Sequence, residues 1–297
     1  MPDGFLNIDK PAGMTSRDVV NRVQRWVRPA KCGHAGTLDP LATGVLVVCV
    51  GKATRLMEFV QRGVKGYRGV FRLGVQSDTE DVEGDVRPLP NPPIPTRDQI
   101  ERVLPRFFGE IDQVPPVYSA KKVGGRRAYD LARKGEPVDL KPARVTVHSI
   151  ALVEYDYPSL TLEIVCGAGT YIRSLGRDIA KSLGTAAVMS ELVRTRVGPF
   201  ALKEAVNLDR LQEEGVQPHL HPLAAAVGDL PRITVSEGEA RRLAQGQPIS
   251  QAPAHAAAIP GGVPSLVAAL SGKKELIALV ELRDGQWRAS KVLVTMG

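Results

Sequence analysis

The run Gly33-His34-Ala35-Gly36-Thr37-Leu38-Asp39-Pro40-Leu41-Ala42-Thr43-Gly44 leads straight into the unbroken apolar stretch Val45-Leu-Val-Val-Cys-Val50. An apolar run of that length bounded by turn residues reads as a buried strand. The loop ahead of it carries one carboxylate, Asp39. Pro40 biases Asp39 toward extended backbone, and Gly33, Gly36 and Gly44 permit close or left-handed paths around it. A rigid strand behind a tight loop is a good mount for one aimed reactive group. Asp-Pro is equally an ordinary turn, and on spacing alone both readings stand.

The 297 residues are enough for a sizeable core and more than one domain. No apolar run reaches membrane-spanning length, and the N-terminus lacks the basic-then-apolar pattern of a secretory signal. Cys32, Cys49 and Cys166 are odd in number and widely spaced, which fits a reducing cytoplasm and neither a disulfide framework nor a zinc site. The net charge of +7 favours an anionic partner. Residues 119–144 hold Lys121, Lys122, Arg126, Arg127, Arg133, Lys134, Lys141 and Arg144 against Asp130, Glu136 and Asp139, a local net of +5. Residues 74–113 hold nine acids against four arginines, a local net of −5. A positive stripe of this kind is the footprint of a nucleic-acid binder and also the pattern of a solvated helix face.

The order of elements predicts an α+β fold. Phe5–Asp9 reads as a strand, then Thr15 with Asp18 caps a helix that carries Val19, Val20, Val23, Trp26 and Val27 and stops at Pro29. Tyr67, Phe71, Leu73 and Val75 alternate on one strand face. Residues 85–95 carry five prolines and read as a loop, and Thr96 with Gln99 caps a helix to about Phe108. Residues 144–154 and 160–166 read as strands, residues 171–183 as a helix ended by Gly184, and residues 212–223 as a loop. From Leu230 a new block begins: Ser236 caps a short helix, residues 252–264 are Ala/Pro/Gly-rich, and residues 276–282 and 287–294 read as strands. Strands and helices mix without strict alternation, which predicts a mixed, largely antiparallel sheet flanked by helices, with a small, mostly β C-terminal domain. The expected division is 1–229 and 230–297.

Most cofactor and metal chemistries lack their motifs. Gly167-Ala-Gly169-Thr-Tyr-Ile172 follows a strand and opens a helix, but Ile172 stands where a dinucleotide-binding turn needs its third glycine. No Walker loop and no Gly-x-Ser-x-Gly elbow occur, and no histidine has an i, i+4 histidine partner for a metal. The expectation is therefore no cofactor and no metal. What remains is Asp39, with Tyr67, Tyr171 and Arg173 as potential partners. An arginine beside a carboxylate in a dry site keeps it ionised, although surface pairing of Arg173 and core packing of Tyr67 are the plainer uses of those residues.

Gly33-His34-x-Gly36-x-Leu38-Asp39-Pro40-x-Ala42-x-Gly44 resembles the signature of the TruB family of tRNA pseudouridine synthases. Asp9-Lys10-Pro11-x-Gly13-x-Thr15-Ser16 resembles the family's N-terminal motif. Lys65-x-Tyr67-Arg68, Asp78-x-x-Asp81-x-x-Gly84, Pro115-Pro-x-Tyr-Ser-Ala-x-Lys122, Tyr129-x-x-Ala-Arg133-x-Gly135 and Gly169-Thr-Tyr-Ile-Arg173 follow in the family's order. The resemblance covers residues 4 to about 210. The tail, with Leu243-x-x-Gly246-Gln247, resembles more loosely the PUA RNA-binding domain of bacterial members.

The resemblance implies isomerisation of uridine 55 in the tRNA T loop. Asp39 matches the essential aspartate, acting at the sugar, at the ring or by assisting glycal formation. Arg173 matches its partner, and Tyr67 matches the tyrosine that stacks on the flipped base and takes a catalytic part by moving a proton. Tyr171 and Leu192 match further pocket positions, His34 the histidine that displaces the base, and Lys10 a motif lysine at the pocket whose role is structural. Lys121, Lys122, Arg126, Arg127 and Arg133 belong to the segment that closes over the T arm. A cytoplasmic monomer with tRNA as partner, no required protein partner and no membrane is the expected setting. An RNA-binding, tRNA-folding chaperone with secondary catalysis is the alternative, and a guide-RNA-dependent catalytic subunit a third reading that the bacterial-type tail disfavours.

Overall fold

The structure is a computed structural model that describes residues 2–119, 121–123, 125–132, 136, 138–250 and 265–294, with Lys122, Val123, Arg127, Asp130 and Ala132 described by backbone alone. β1 (Gly4–Lys10) leads into α1 (Ser16–Val27). The helix starts at the expected capping box: Thr15 accepts from the Asp18 amide while the Asp18 carboxylate accepts from the Thr15 amide. Arg28 is extended ahead of Pro29 and ends it. β2 (Cys32–His34) and β3 (Thr43–Val50) bracket the Asp39 loop, and α2 (Met57–Arg62) and β4 (Lys65–Leu73) follow. The ribbon of β5 (Val75–Gln76) and β6 (Arg87–Pro88) closes the acid-rich residues between them. Thr96 and Gln99 form a second capping box at α3 (Arg97–Val103), before β7 (Gly109–Gln113).

A second ribbon, β8 (Lys122–Val123) with β9 (Arg126–Arg127), precedes α4 (Ala128–Ala132). Then come the hairpin of β10 (Ala143–Asp156) and β11 (Ser159–Cys166), α5 (Ile172–Ser182), β12 (Ala187–Val197) and β13 (Phe200–Ala201). Residues 212–223 are not simply a loop. They include the end of α6 (Leu208–Glu214), capped by Asn207, and all of β14 (Leu220–His221), which pairs with β1.

Ten strands form one sheet in the order β14-β1-β3-β12-β4-β11-β10-β7, with β2 on β3 and β13 on β12. Within this sheet only β3 and β12, among the described strands, pair in parallel. Because the remaining pairs are antiparallel, the expected fold class holds. β3 is apolar from Val45 to Val50 because both its faces are covered there. Leu46, Val48 and Val50 face a core shared with α1 and α5, while Val45, Val47 and Cys49 join Phe5 and Phe200 on the other side.

That other side is closed by the tail. β15 (Arg232–Val235), α7 (Glu237–Ala244), β16 (Ile249–Ser250), β17 (Val267–Ser271), β18 (Leu276–Arg283) and β19 (Gln286–Val292) build a separate five-stranded sheet. Two of these strands and the capped helix were legible in sequence, whereas β15, β16 and β17 are short and emerge only as paired strands. The Ala/Pro/Gly-rich residues 252–264 lie outside the described residues. The sheet wraps its own core around the fully buried Trp287. It also sends Ala268, Leu270, Leu276, Leu279 and Leu293 into the apolar layer beneath β1 and β3. Arg55 Nη1 donates to the Val292 carbonyl at 2.6 Å, and Lys291 pairs with Glu58 at 2.9 Å across the same junction. Among the described residues no helix is long and apolar enough to cross a membrane.

α5 reaches its place by close approach. A Cβ at Gly176 would sit 2.1 Å from Phe71 Cε1 and 2.2 Å from Cδ1, so only glycine lets this helix lie on β4. Gly176→Ala gains roughly 1 kcal/mol of helix propensity against an overpacking cost of about 1–3 kcal/mol. The expected outcome is a lowered urea midpoint with an unchanged m-value; a midpoint at or above that of the wild type would show that the helix can shift freely.

Candidate active site

The Asp39 loop is held by its own carbonyls. Five successive ones, Gly36 to Pro40, each accept a hydrogen bond. Arg194 of β12 donates from Nη2 to Gly36 and from Nη1 to Thr37, both at 3.2 Å. Ser16 Oγ donates to the Leu38 carbonyl at 3.0 Å and accepts from the Leu38 amide at 2.8 Å. The Asp39 carbonyl accepts from the Ala42 amide at 3.1 Å, closing the turn that Pro40 predicts. Pro40 accepts from the Gly13 amide at 2.9 Å and from Lys10 Nζ at 3.2 Å. The three side-chain donors are all buried. Gly44 completes the frame: it has φ +91°, and a Cβ there would lie 2.4 Å from the Arg194 carbonyl oxygen.

Arg173, in the first turn of α5, meets this loop from the opposite direction. Its Nε lies 3.0 Å from Asp39 Oδ2, and its Nη1 lies 3.3 Å from Asp81 Oδ2. Nη1 also donates to the Thr79 carbonyl at 2.6 Å and Nη2 to the Tyr118 carbonyl at 3.1 Å. The arginine and Asp81 are buried, whereas a third of the Asp39 side chain is exposed. Burial pushes the Asp39 carboxyl above the usual range, Arg173 opposes this, and Asp81 adds to it. Since the folded value lies above that of an unfolded aspartate, ionising Asp39 costs stability as pH rises through it. The neighbouring guanidinium limits that cost. Among the described residues Oδ1 of Asp39 has no hydrogen-bond partner, which leaves it available to a reacting group.

The other expected residues take distinct positions. Tyr67 on β4 and Leu192 on β12 are buried in one apolar cluster with Leu38 and Ile172, the chain neighbours of Asp39 and Arg173. Burial raises the Tyr67 hydroxyl above its ordinary value, with Arg194 pulling the other way. The Tyr171 backbone is bracketed by the buried Gln113, whose Oε1 accepts from its amide at 2.8 Å and whose Nε2 donates to its carbonyl at 3.1 Å. Lys10 is fully buried and bonds only backbone carbonyls: those of Pro11 at 2.8 Å, Met14 at 2.6 Å and Pro40. Burial pulls it down to about 8.

His34 ends β2, paired with Val48 of β3. Its Nδ1 is buried without a hydrogen-bond partner, and burial lowers its pKa, with the charges of Arg17 and Arg194 adding to the effect. In the basic segment Arg126 makes a two-pronged pair with Glu136 at 2.8 and 2.9 Å, and Lys121 donates to the Lys141 carbonyl at 3.4 Å. The Lys122 and Arg127 side chains and all of Arg133 lie outside the described residues.

Family comparisons agree with this arrangement. The family model described as TruB family pseudouridylate synthase (N terminal domain) matches residues 24–172, and that of the tRNA pseudouridylate synthase B C-terminal domain matches residues 173–237. The chain belongs to the TruB family. The tRNA pseudouridine synthase B of Rhodospirillum rubrum is 43% identical over 98% of this chain and 96% of its own. That of Symbiobacterium thermophilum is 46% identical over 82% of each. Among solved structures, a chain of a Cbf5–Nop10–Gar1 complex superposes with a TM-score of 0.74 at 28% identity, covering 98% of this chain and 85% of that one. A chain of an H/ACA RNP bound to a substrate RNA containing 2'-deoxyuridine superposes at 0.71 and 27%, with the same coverage. The TruB fold is therefore shared along nearly the whole chain, while the two family models stop at residue 237, before most of the tail sheet.

Three contributors to this TruB site were not singled out from sequence. Asp81 and Ser16 stood in quoted motifs without a role, and Arg194 stood in a segment not read as a strand. The available signal for Arg194 was a charge inside the otherwise strand-like Leu192-Val-Arg-Thr-Arg-Val197. Arg194→Met removes the donors to the Gly36, Thr37 and Val45 carbonyls. Loss of those bonds is expected to speed hydrogen exchange of a 35–42 peptide by roughly ten-fold or more, through local opening. Unchanged exchange there would mean that the loop does not need Arg194.

Proposed function

We propose that this chain converts uridine 55 in the T loop of tRNA to pseudouridine, with Asp39 as the nucleophile. The observation that carries this reading is the Asp39–Arg173 pair at 3.0 Å on a loop with no slack in its backbone. Relatives that match along 97–98% of the chain are named tRNA pseudouridine synthase B, which supports tRNA as the substrate. The reaction breaks the N1–C1′ bond and forms a C5–C1′ bond; C5 gives up its proton and N1 gains one, so it needs neither oxidant nor group donor. Asp39 supplies the carboxylate, and Arg173 holds Oδ2 so that Oδ1 faces a reacting partner with little reorganisation.

The target base must leave its stack, at a cost of a few kcal/mol. Stacking on aromatic residues returns about 1–3 kcal/mol per base. Tyr67 takes the extruded base, with Leu192 and Tyr171 around it, and His34, neutral near pH 7, fills the place the base leaves. Lys121, Lys122, Arg126, Arg127 and Arg133 contact the T arm, and residues 230–297 form a PUA-like RNA-binding domain after a catalytic domain of residues 1–229. The proposed enzyme is a cytoplasmic monomer that needs no protein partner.

Asp39→Asn keeps the size and loses the nucleophile. The expected result is no detectable pseudouridine by mass-spectrometric or carbodiimide mapping of a tRNA transcript incubated with the purified chain, with binding within a few-fold of wild type. Persistent product would sink the assignment, whereas binding lost together with product would leave a folding or binding role for the loop.

Arg173→Lys keeps a charge but loses the fork that spans Asp39, Asp81 and two carbonyls. Single-turnover product formation is expected to fall at least ~100-fold while tRNA affinity changes by less than about five-fold. Equal losses in both would make Arg173 a phosphate contact.

A further inference from the structure

The 119–144 segment drew attention in sequence because it is basic, yet its best-described cation, Arg126, is engaged by Glu136. A second group of cations is not engaged in this way. Arg17, Arg22, Arg25 and Arg28 along α1 and its end, with Lys31 just beyond, are all exposed, and among the described residues none forms an ion pair or a side-chain hydrogen bond. At 100° per residue, Arg17, Arg25 and Arg28 fall within a sector of about 80° on the helix surface, outside the sector of the buried Val19, Val20, Val23 and Val27. They span roughly 17 Å at 1.5 Å per residue. Across residues 16–31 the only acid is Asp18, which is spent in the capping box.

The position of α1 joins this stripe to the site. At its N-terminal end Ser16 is bonded to Leu38, next to Asp39. Near its C-terminal end Gln24 donates to the Ala30 carbonyl at 2.6 Å and accepts from the Cys32 amide at 3.0 Å. The helix therefore lies alongside residues 30–38, the segment that carries His34, and runs antiparallel to it. Arg17 is close enough to His34 for its charge to act on the imidazole. Unpaired arginines lose no protein partner when they meet phosphate, whereas Arg126 must exchange Glu136 for it.

We propose that the exposed Arg17–Arg25–Arg28 face of α1, continued by Lys31, is a phosphate-binding track that holds the backbone of the substrate tRNA beside the Asp39 loop. This rests on the tRNA-isomerase reading. The track acts before chemistry: it sets affinity and its salt dependence, while Asp39 and Arg173 set turnover.

The test measures equilibrium binding of an unmodified tRNA transcript across a salt series, together with product formation. The track variant is Arg17→Glu/Arg25→Glu/Arg28→Glu. Its control carries the same charge change on α3 and just after it, Arg97→Glu/Arg102→Glu/Arg106→Glu, in the acid-rich segment. The track variant is expected to lose at least ~10-fold in affinity and to flatten the slope of log K against log salt by about 2–3, close to one unit for each phosphate contact. Its turnover at saturating tRNA is expected to fall much less, and the control is expected to stay within about three-fold of wild type. Wild-type affinity in the track variant, or equal losses in track and control, would overturn the proposal. Should the Glu variant fold poorly by circular dichroism, the Gln versions of the same three positions give the same reading with a smaller slope change. A wild-type chain that binds tRNA but makes no product would remove the isomerase reading and leave the track to be judged on binding alone; a chain that makes product while the track variant binds normally removes only the track.

Discussion

The site depends on one constraint: the carbonyls from Gly36 to Pro40 are each held by a hydrogen bond, four of them by donors outside the loop and that of Asp39 by the Ala42 amide within it. A loop whose backbone is satisfied in this way has few conformations left, so the side chain it presents is aimed without help from substrate. The side-chain donors come from β1, α1 and β12, and β12 is adjacent to the others only because the sheet places β3 between β1 and β12. The parallel β3–β12 pairing puts Arg194 opposite Gly44 and beneath the loop. A buried guanidinium with no carboxylate beside it is costly, and here it is offset by three carbonyls, those of Gly36, Thr37 and Val45.

The N-terminal motif thereby acquires a structural reason. Lys10, the Gly13 amide and Ser16 all serve the Asp39 loop, so the first motif and the signature around Asp39 are two halves of one construction. The first turns of α5 do the corresponding work on the other side. Arg173 reaches Asp39, Asp81, Thr79 and Tyr118, Ser174 donates to Glu80 at 2.7 Å, and Arg177 pairs with Glu80 and donates to the Val114 carbonyl at 3.0 Å. The acid-rich 77–84 loop and the root of the basic segment therefore converge on one helix. The acids of that loop are met here by the arginines of α5, not by those of the basic segment: Arg173 pairs with Asp81 and Arg177 with Glu80.

Capping was legible because it is local. Thr15 with Asp18, Thr96 with Gln99 and Ser236 with Glu239 all stand where helices begin. The apolar run of β3 was legible because both faces of the strand are covered. β12 was not read as a strand although it lies near the middle of the sheet. Its pairing with β4 shifts register between Met189 and Glu191 and again between Arg194 and Arg196, which breaks the two-residue period, and it buries an arginine. The cationic face of α1 was overlooked for a related reason: net charge along the chain does not say which cations already have partners.

Sequence alone supplied the candidates for the chemistry, because Asp39, Arg173 and Tyr67 sit in short ordered motifs that resemble those of one family. It also determined the helix starts and the buried strand behind Asp39, which depend on neighbours within a few residues. Only the tertiary structure decided how closely Arg173, the expected partner, meets Asp39, that Asp81 shares the same guanidinium, and that Arg194 carries the loop from below. Each of these is a contact across 90 or more residues of chain between groups whose charge would be unfavourable if buried alone. Their pairing follows from strand order and register, which no local pattern encodes.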